Sequence, residues 1–497
     1  MVWNRQMSKT YDTDVLIAGA GPAGLVLGIE LARSGIAFRL IEQRTEPLQA
    51  SRGKGSQPRT LEIYEDIGAL PGYLEISGPY PPLCMLKGDT VIGERPFNVQ
   101  IDPTPDIPYP NMIMAPQWRT DAVLRATLHA HGGEVEDGVE LRRFEQDGGG
   151  VTATLLAGGQ SSNVRAKYLV GADGGRSVVR TALEINFPGE AMAARRIIFG
   201  DICVDNLARD KWWIWQTEHG PVGLCPLPHV DAFQLMIPLA DNEEPEISEA
   251  SVMALFQSRT GRTDLRIHDA TWLSLFTPSL RLADAYRKER VFIAGDAAHV
   301  HPPTGAQGLN TSIQDVYNLG WKLARVLRGE ATDKLLATYE AERRPVAAQM
   351  LDIAGGLTRG GDGTVQTRGR QTQQLDINYR GSTLTVDRGR SGRTLLAGDR
   401  APDAIYSTGD GNQRRVFEDL RGPQFTLLLF GGVEIEIPAD VRDLKVVRLS
   451  TEGEPAATYG VTGPTAVLIR PDNYIGLFNE SPDRGAVANY FASKIRA

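Results

Sequence analysis

The chain has 497 residues, of which 41% are hydrophobic and 23% charged, and its formal net charge is −8. This length predicts two to four globular domains, and the acidic balance without a dense basic stripe excludes the usual pattern of nucleic-acid binding. No run approaches the roughly 18 apolar residues of a membrane span. Cys84, Cys203 and Cys225 lack zinc-ligand spacing. We therefore expect a cytoplasmic protein without a metal site, a disulfide framework or a membrane partner.

The first predicted elements form a βαβ unit. An apolar strand over 14–18 ends in the run Gly19 to Gly24, a helical pattern follows, and a second strand over 38–41 is closed by Glu42. A polar loop then precedes a helix that reaches about residue 70. Further along, the pattern predicts a helix over 118–131 and strands over 139–144, 151–156 and 168–170.

The second half of the chain changes character twice. Residues 187–277 are β-rich, with short strands over 197–204, 212–217, 222–226 and 232–238, and indicate a separate substrate sheet. A buried strand over 290–294 ends in Gly295-Asp296, and a long amphipathic helix begins near Gly308. A Gly-, Thr- and Arg-rich stretch over 355–370 is typical of a linker. Strands over 425–430, 446–449 and 466–470 then predict a smaller α/β domain.

The run from Gly19 to Gly24 lies where a dinucleotide-binding turn requires it. A strand precedes it, a helix follows it, and the acidic Glu42 lies about 20 residues further on. Glycines allow close approach of a pyrophosphate, the helix N-terminus attracts its charge, and a carboxylate can accept hydrogen bonds from ribose hydroxyls. A tight turn without a ligand is the alternative. This motif alone does not distinguish FAD from NAD.

A second motif favours FAD. Asp296 follows a strand at the carboxyl edge of the predicted sheet, and a Pro- and Gly-containing loop leads from it into the long helix. The carboxylate could hold a polyhydroxyl chain, while the amides of Gly308, Leu309 and Asn310 could stabilise an anionic ring. A flavin has a ribityl chain and a reduced anionic ring, whereas NAD has no ribityl chain. A capping aspartate before a proline-rich loop is the alternative reading.

Three sequence boxes together resemble the single-component FAD-dependent aromatic hydroxylases, the class A flavoprotein monooxygenases. They are residues 19–24, the Gly-Ala-Asp-Gly-Gly-Arg-Ser box at 171–177, and the Gly-Asp-Ala-Ala-His box at 295–299. The segments at 395–402 and 467–472 are similar to the thioredoxin-like tail of the phenol hydroxylase and aromatic polyketide hydroxylase branch. No cysteine follows Cys225, so this tail is expected to be structural and not a disulfide oxidoreductase.

The resemblance implies a set of cofactor contacts. Arg52 would approach the FAD pyrophosphate, Gln117 the ribose or ribityl side, and Gln43 and the Leu141 backbone the adenosine. The middle box, with Asp173, is associated with FAD and NADPH use in that family. The expected FAD-binding residues are Gly19, Gly21, Ala23, Gly24, Glu42, Gln43, Arg52, Gln117, Leu141, Asp173, Asp296, Pro303, Gly305, Gly308, Leu309 and Asn310.

The tryptophan-rich strand over 212–217 suggests where a substrate could lie. Side chains alternate along a strand, so Trp213 and Trp215 share a face that could stack on a planar substrate. Packing of these rings in the sheet core is the alternative. His299 and His301 lie beside the loop over 302–308 that leads into the long helix, here called the flavin loop. The sequence assigns no catalytic acid or base.

The expected architecture is α/β, with a Rossmann-type FAD-binding domain, an inserted substrate sheet and a thioredoxin-like C-terminal domain. The FAD-binding domain would comprise 8–82, 110–186 and 283–354, the substrate sheet 83–109 and 187–282, the linker 355–394 and the last domain 395–497. The resemblance implies that NADPH or NADH reduces FAD and that O2 then forms a flavin C4a-hydroperoxide, which hydroxylates a phenolic or polycyclic aromatic molecule. Baeyer-Villiger oxygenation of a polycyclic ketone and a non-catalytic flavin-binding protein remain alternatives, and a homodimer is possible.

Overall fold

The computed structural model describes residues 11–192, 196–241, 243–302, 306–359, 370, 372–439 and 441–497. Within these residues, no helix is long and apolar enough to cross a membrane. The α-helices in chain order are α1 Pro22–Arg33, α2 Pro58–Ile67, α3 Leu70–Ile76, α4 Gln117–Ala130, α5 Val178–Ala182, α6 Glu249–Thr260, α7 Gly308–Leu327, α8 Lys334–Arg359, α9 Val416–Leu420, α10 Glu454–Tyr459 and α11 Ala486–Tyr490.

The strands form three main sheets and several short ribbons. In chain order they are β1 Thr13–Ala18, β2 Phe38–Glu42, β3 Gly55–Ser56, β4 Gly78–Pro79, β5 Leu83–Lys87, β6 Thr90–Arg95, β7 Ile113–Met114, β8 Val135–Asp137, β9 Val139–Gln146, β10 Val151–Ala157, β11 Gln160–Gly171, β12 Gly189–Ala191, β13 Ile197–Asp205, β14 Trp212–Thr217, β15 Gly220–Pro226, β16 Phe233–Pro238, β17 Arg266–Phe276, β18 Ser279–Leu282, β19 Arg287–Lys288, β20 Val291–Ile293, β21 His299–Val300, β22 Val386–Arg388, β23 Ile405–Ser407, β24 Gln413–Arg415, β25 Phe425–Phe430, β26 Leu444–Leu449, β27 Thr465–Ile469 and β28 Ile475–Asn479.

The first sheet is the parallel layer that the βαβ pattern predicts. Strands β20, β11, β1, β2 and β8 pair in parallel in that order, and the β9–β10 hairpin extends the layer from β11. Helices α1 and α7 pack together beside this sheet. Near-continuous apolar strands, such as β1 with five of its six residues buried, are typical of a parallel sheet covered on both faces. The α/β fold class is therefore confirmed.

The second sheet combines two distant stretches of the chain. Its order is β17-β13-β16-β15-β14-β5-β6, so the hairpin at 83–95 joins strands from residues 197–276. The sequence predicted four of these later strands almost to the residue but missed β17 and also α6, which covers one face of the sheet. The capping signals of α6 are local, because Ser248 accepts a hydrogen bond from the Ser251 amide and Gly261 ends the helix in a left-handed conformation.

The third sheet belongs to the C-terminal region, with the order β22-β28-β27-β25-β26. Strands β25 and β26 are parallel, while β27 runs antiparallel to both β25 and β28. This is a mixed sheet with short flanking helices, and its thioredoxin-like character stays a prediction. The helix α8 extends to Arg359 and so enters the stretch that the sequence assigned to a linker from residue 355.

Buried ion pairs join the C-terminal region to the helices of the first domain. Glu342 of α8 accepts hydrogen bonds from Arg470 at 2.7 Å and from Lys322 of α7 at 2.7 Å. Glu62 of α2 accepts a second set, from Arg400 at 2.7 Å and Arg59 at 2.8 Å. Burial lowers the pKa of Lys322 to about 8, although Glu342 acts in the opposite direction. The expected structural role of the tail is consistent with this charged interface.

Replacing Glu342 with Gln should destabilise the protein strongly, because the buried Lys322 would lose its carboxylate partner and Arg470 would be left with Asp472 alone. Breaking one partner of a buried pair costs about 3–5 kcal/mol. Thermal and urea unfolding would measure the loss. Glu244→Gln is the matched control, since its pair with Arg196 is exposed and should contribute little. Equal stability of the two variants would contradict this role for Glu342.

Candidate functional site

Four parallel strands end at one edge of the first sheet and gather the predicted site residues there. Strands β1, β2, β11 and β20 end at Ala18, Glu42, Gly171 and Ile293. Because the strands are parallel, the segments that follow their carboxyl ends lie side by side. The glycine turn, Glu42, the 171–177 box and the turn at Asp296 therefore meet in one cleft, as the sequence predicts.

The glycine turn is built by backbone contacts that exclude side chains at two positions. Gly19 has φ +100°, and a Cβ there would lie 2.4 Å from the Ala172 carbonyl oxygen. A Cβ on Gly24 would lie 1.9 Å from the Gly19 carbonyl oxygen, whereas a Cβ on Gly21 would meet nothing within 4 Å. Helix α1 starts at Pro22, next to the buried Ala23, without a side-chain cap. The turn thus leaves open space in front of uncapped helix amides, which suits an anion.

Glu42 closes one side of this turn. Its Oε2 accepts a hydrogen bond from the Ala20 amide at 3.1 Å, and its Oε1 accepts one from the Arg44 amide at 3.1 Å. Gln43 beside it is exposed. Leu141 is buried on β9, which packs against β2. The structure therefore brings all three predicted adenosine-side residues to the same end of the sheet.

Arg52 and Gln117 lie on the opposite wall, where the loop after β2 meets the start of α4. The Gly53 amide donates a hydrogen bond to Gln117 Oε1 at 2.7 Å, which fixes this loop. Burial lowers the pKa of Arg52, the nearby charge of Arg44 lowers it further, and Asp296 acts in the opposite direction. Positive charge is thus concentrated next to the open space in front of α1.

Asp173 has a structural contact that the sequence did not indicate. Its Oδ2 accepts a hydrogen bond from the Val179 amide at 3.1 Å, so it anchors the first turn of α5. Its Oδ1 is buried without a hydrogen-bond partner in the described part of the chain. This oxygen could therefore accept a further hydrogen bond.

Asp296 lies in a single 3₁₀ turn, Gly295–Ala297, directly after β20. Its side chain is exposed, although protein surrounds the cleft into which it projects. This confinement raises the pKa of Asp296, while His299 and then Arg52 act to lower it. Among the described residues, none donates a hydrogen bond to this carboxylate, so the hydroxyl groups of a ligand could supply the missing donors.

The start of α7 faces the same cleft. The first regular helical bond there runs from the Thr311 amide to the Gln307 carbonyl at 2.9 Å, so the amides of Gly308, Leu309 and Asn310 precede it. The Asn310 side chain itself is buried, accepts a bond from the Gln57 amide at 2.8 Å and donates to the Gly55 carbonyl at 2.9 Å. Only its backbone can serve the predicted role. The predicted residues Pro303 and Gly305 lie outside the described residues.

A network of buried polar side chains supports the turn at Asp296. Most members of this network were not predicted from the sequence. Asp315 of α7 lies 2.6 Å from His299 Nε2 and accepts a bond from Arg343 Nε at 2.8 Å. His299 Nδ1 lies 3.0 Å from His301 Nε2. Burial and, after it, the charge of His299 lower the pKa of His301 to about 3, which favours the neutral ring. The sequence singles out the two histidines, but Asp315 lies 16 residues from His299, and Arg343 lies a further 28 residues from Asp315.

The second sheet presents a different row of side chains to the cleft from the one predicted. Registered pairs place Trp272, Asp201, Gln234 and Cys225 side by side, and Trp212 continues the row because its neighbour Trp213 pairs with Leu224. Gln234 Nε2 in this row donates to the Ser51 carbonyl at 2.6 Å, so the row faces the loop that carries Arg52.

Trp213 and Trp215 therefore point away from this cleft. Trp215 is fully buried and packs edge to face on Phe256 of α6, with ring centroids 5.4 Å apart. Trp213 donates from its indole N–H to the Ala208 carbonyl at 2.8 Å. The structure does not bring this predicted substrate pair to the site, because α6 covers their face of the sheet.

An aromatic cluster occupies the cleft face instead. Tyr80 and Phe97 stack at 4.2 Å between centroids, and Trp212 lies 5.3 Å from Phe97. The cluster also contains Met112 and contacts Ala306, two residues before the start of α7. Apolar, planar side chains thus lie between the second sheet and the flavin loop.

One surface cluster resembles a metal site in composition. Ligand atoms of Cys203, His268 and Asp269 lie within 4.8 Å of one another. Both nitrogens of His268 already lie against carboxylates, at 2.9 Å from Asp269 and 3.1 Å from Asp205, and these raise its pKa. Hydrogen bonding accounts for the arrangement, and the expectation of no metal stays a prediction.

Comparison with known proteins identifies the family. Residues 12–354 match the family described as FAD binding domain, and residues 394–493 match the one described as aromatic-ring hydroxylase, C-terminal. The chain belongs to the FAD-dependent aromatic-ring hydroxylases. The predicted resemblance, the FAD cofactor and the monooxygenase activity on aromatic molecules are thereby confirmed.

Individual members of this hydroxylase family match over nearly the whole chain. A flavin-dependent monooxygenase of Mycobacteroides abscessus is 42% identical and covers 94% of this chain and 97% of its own length. The 12-dehydrotetracycline 5-monooxygenase/anhydrotetracycline 6-monooxygenase of Streptomyces rimosus is 32% identical, with coverage of 95% and 96%. The structure of aklavinone-11 hydroxylase with FAD and aklavinone superposes with a TM-score of 0.83, covering 98% of this chain and all of that chain at 24% identity, and so shows the shared fold.

Gly21→Ala should weaken FAD binding without changing the stability of the fold. The added methyl meets no protein atom, and φ at this position is −74°, so we expect the unfolding temperature of the apoprotein to be unchanged. The same methyl would enter the space in front of α1, and FAD affinity measured by fluorescence quenching should fall at least about tenfold, or about 1.4 kcal/mol.

Two further variants calibrate that result. Gly24→Ala should impair folding itself, because its Cβ would overlap the Gly19 carbonyl. Gly381→Ala adds a methyl in open space elsewhere and should change neither property. Unaltered FAD affinity in Gly21→Ala would place the pyrophosphate away from this turn.

Proposed function

We propose that this hydroxylase uses NADPH or NADH and O2 to hydroxylate a phenolic, polycyclic aromatic substrate bound between the second sheet and the flavin loop. The observation that carries the proposal is the aromatic cluster of Tyr80, Phe97 and Trp212 facing the start of α7. Flat aromatic walls favour a planar ligand through stacking. A relative whose name gives tetracycline-type substrates supports a fused-ring molecule.

The residues at the carboxyl edge fit FAD, and we assign them as its contacts. The glycine turn and α1 amides would hold the pyrophosphate, Arg52 would neutralise it, and Glu42 would accept from the ribose. Asp296 would accept from the ribityl hydroxyls, and the α7 amides would face the electron-rich ring. When bound, FAD supplies the activation of O2 after its reduction by the nicotinamide co-substrate.

The chain's own contribution is to position and to exclude water. The loop at 51–55 is fixed by Gln117 on one side and by Gln234 on the other, so the two halves of the cleft keep a constant relation. The apolar cluster excludes water from the space between them. This exclusion would keep activated oxygen from being lost to water before it reaches the substrate. The buried His299 and Asp315 hold the Asp296 turn against α7 without touching the substrate space.

The test is a screen of phenols and fused-ring aromatic compounds for stimulation of NADPH and NADH oxidation. An accepted substrate should raise oxidation well above the basal rate and, under ¹⁸O2, yield a product that contains one labelled hydroxyl oxygen. A labelled lactone would instead indicate Baeyer-Villiger chemistry. Turnover of monocyclic phenols with no effect of any fused-ring compound would refute the polycyclic part of the proposal.

Trp212→Ala should weaken the binding of an accepted polycyclic substrate, because it removes one aromatic wall. An aromatic contact contributes about 0.5–1.5 kcal/mol beyond burial, so KM should rise roughly three- to tenfold. Trp212→Phe should recover most of the loss. Trp213→Phe, on the face toward α6, is the control and should leave KM unchanged. A larger effect at Trp213 than at Trp212 would reverse the assignment of the two faces.

A further inference from the structure

Lys54 stands out as a cation that enters the substrate cleft from the flavin side. It lies in the short loop between β2 and β3, where its carbonyl accepts a hydrogen bond from the Ala115 amide at 2.8 Å. The next residue, Gly55, pairs with Met114, and a Cβ there would lie 2.6 Å from Tyr80 Oη. The backbone at Lys54 is therefore held tightly between the aromatic cluster and the loop that carries Arg52.

The Lys54 ammonium has an aromatic but not an anionic environment. Its Nζ lies 4.2 Å from the centre of a Trp212 ring and 5.9 Å from that of Tyr80. The Nζ atom is buried and, among the described residues, makes no hydrogen bond of normal geometry; the Cys225 thiol, a weak acceptor, is its polar neighbour. Cation–π contact compensates only part of the lost hydration of an ammonium group. The site is therefore incomplete without a further acceptor.

The groups that face Lys54 from neighbouring elements do not supply that acceptor. Burial raises the pKa of the Cys225 thiol of β15, while the charge of Lys54 and a hydrogen bond with it act to lower that pKa, but a thiol is only a weak acceptor for an ammonium group. Asp201 of β13 is two strands from Cys225 across the row, which is about 10 Å at normal strand spacing. It forms no salt bridge with Lys54 in the described part of the chain: burial raises the pKa of Asp201 to about 6, although the charge of Lys54 acts to lower it.

We propose that Lys54 is a positioning residue that binds the ionised phenolic oxygen of the substrate and so holds the ring as a phenolate. The substrate's O–H bond breaks, its electron pair stays on oxygen, and the proton passes to solvent. The resulting oxyanion donates electron density into the ring, which makes the ring a better nucleophile toward an electrophilic oxygen. Trp212 and the ammonium together would then recognise a flat anion: the ring stacks, and the charge pairs with its oxygen.

This inference rests on the proposed function, because it needs an aromatic phenol in the cleft. Its particular claim is that Lys54 is the residue that selects and holds the ionised form. Substrates without an ionisable hydroxyl near the reacting carbon should therefore be poorer ligands than their phenolic analogues. Lys54 also lies two residues from Arg52 in the same loop, which the Gly53–Gln117 hydrogen bond fixes. One segment of the chain would therefore bind both the substrate oxyanion and the cofactor phosphate.

The test uses 1,2-dihydroxyanthraquinone, a fused-ring phenol whose visible absorption moves to longer wavelength when it ionises. Its apparent pKa is measured by titrating absorbance in free solution and when bound to the oxidised holoenzyme. We expect binding to the wild-type enzyme to lower that pKa by at least one unit, which is a tenfold preference for the anion. Because the absorption reports the probe itself, titration of Asp201 or Cys225 cannot imitate the change.

Variants then assign the effect to the ammonium group. Lys54→Met, which keeps length but removes charge, should abolish the shift, whereas Lys54→Arg should retain most of it. Lys211→Met is the matched control, because Lys211 pairs with Glu94 and lies over Trp213 on the other face. FAD content, read from the flavin absorption, should be the same in all four proteins.

The possible outcomes are distinct. A bound probe whose pKa equals or exceeds that in free solution overturns the inference from the wild-type enzyme alone, even if a variant fails to fold. A shift that persists in Lys54→Met also overturns it while leaving the proposed function intact. If the probe and other fused-ring phenols bind to none of the proteins, the proposed substrate class is wrong, and the assignment of Lys54 is wrong with it.

Discussion

One buried carboxylate, that of Asp315, fixes the turn at Asp296 and strand β21 against α7. It contacts His299 of β21 and Arg343 of α8, and it accepts a hydrogen bond from the Gly295 amide at 3.2 Å. Burial alone would raise the pKa of Asp315, but His299 and Arg343 outweigh it and hold the pKa below its ordinary value. The acid therefore stays charged, and three separate segments are fixed to α7 through it.

The same network reaches from the site to the C-terminal region. Arg343 donates to Asp315, to the Thr311 carbonyl near the start of α7, and to the Tyr379 hydroxyl at 2.9 Å. Glu342, the residue before Arg343 in α8, accepts a hydrogen bond from Arg470, which follows β27 of the last sheet. Adjacent residues of α8 thus connect the flavin loop and the C-terminal interface. This explains how the C-terminal region can contribute to the geometry of the cofactor cleft.

The sequence could predict the site where local order determines it and not where distant segments meet. The turn at Gly19, the acid at Glu42 and the turn at Asp296 follow strand ends, and parallel strands place such ends together whatever the rest of the fold. Asp315 and Lys54 carry no comparable local signal. Their roles arise from helix packing and from the approach of the second sheet, which no spacing along the chain reveals.

The face chosen for the tryptophan strand shows how one missed element changes a functional prediction. Alternation correctly separates Trp212 from Trp213 and Trp215, but it does not say which set faces the cleft. That choice is made by α6, because a helix packed on one face of the sheet buries Trp215 against Phe256 and leaves Trp212 for the other side. The capping residues Ser248 and Gly261 are the local signals in the sequence that indicate this helix. Once α6 is placed, the free face follows, and with it the aromatic wall beside which Lys54 lies.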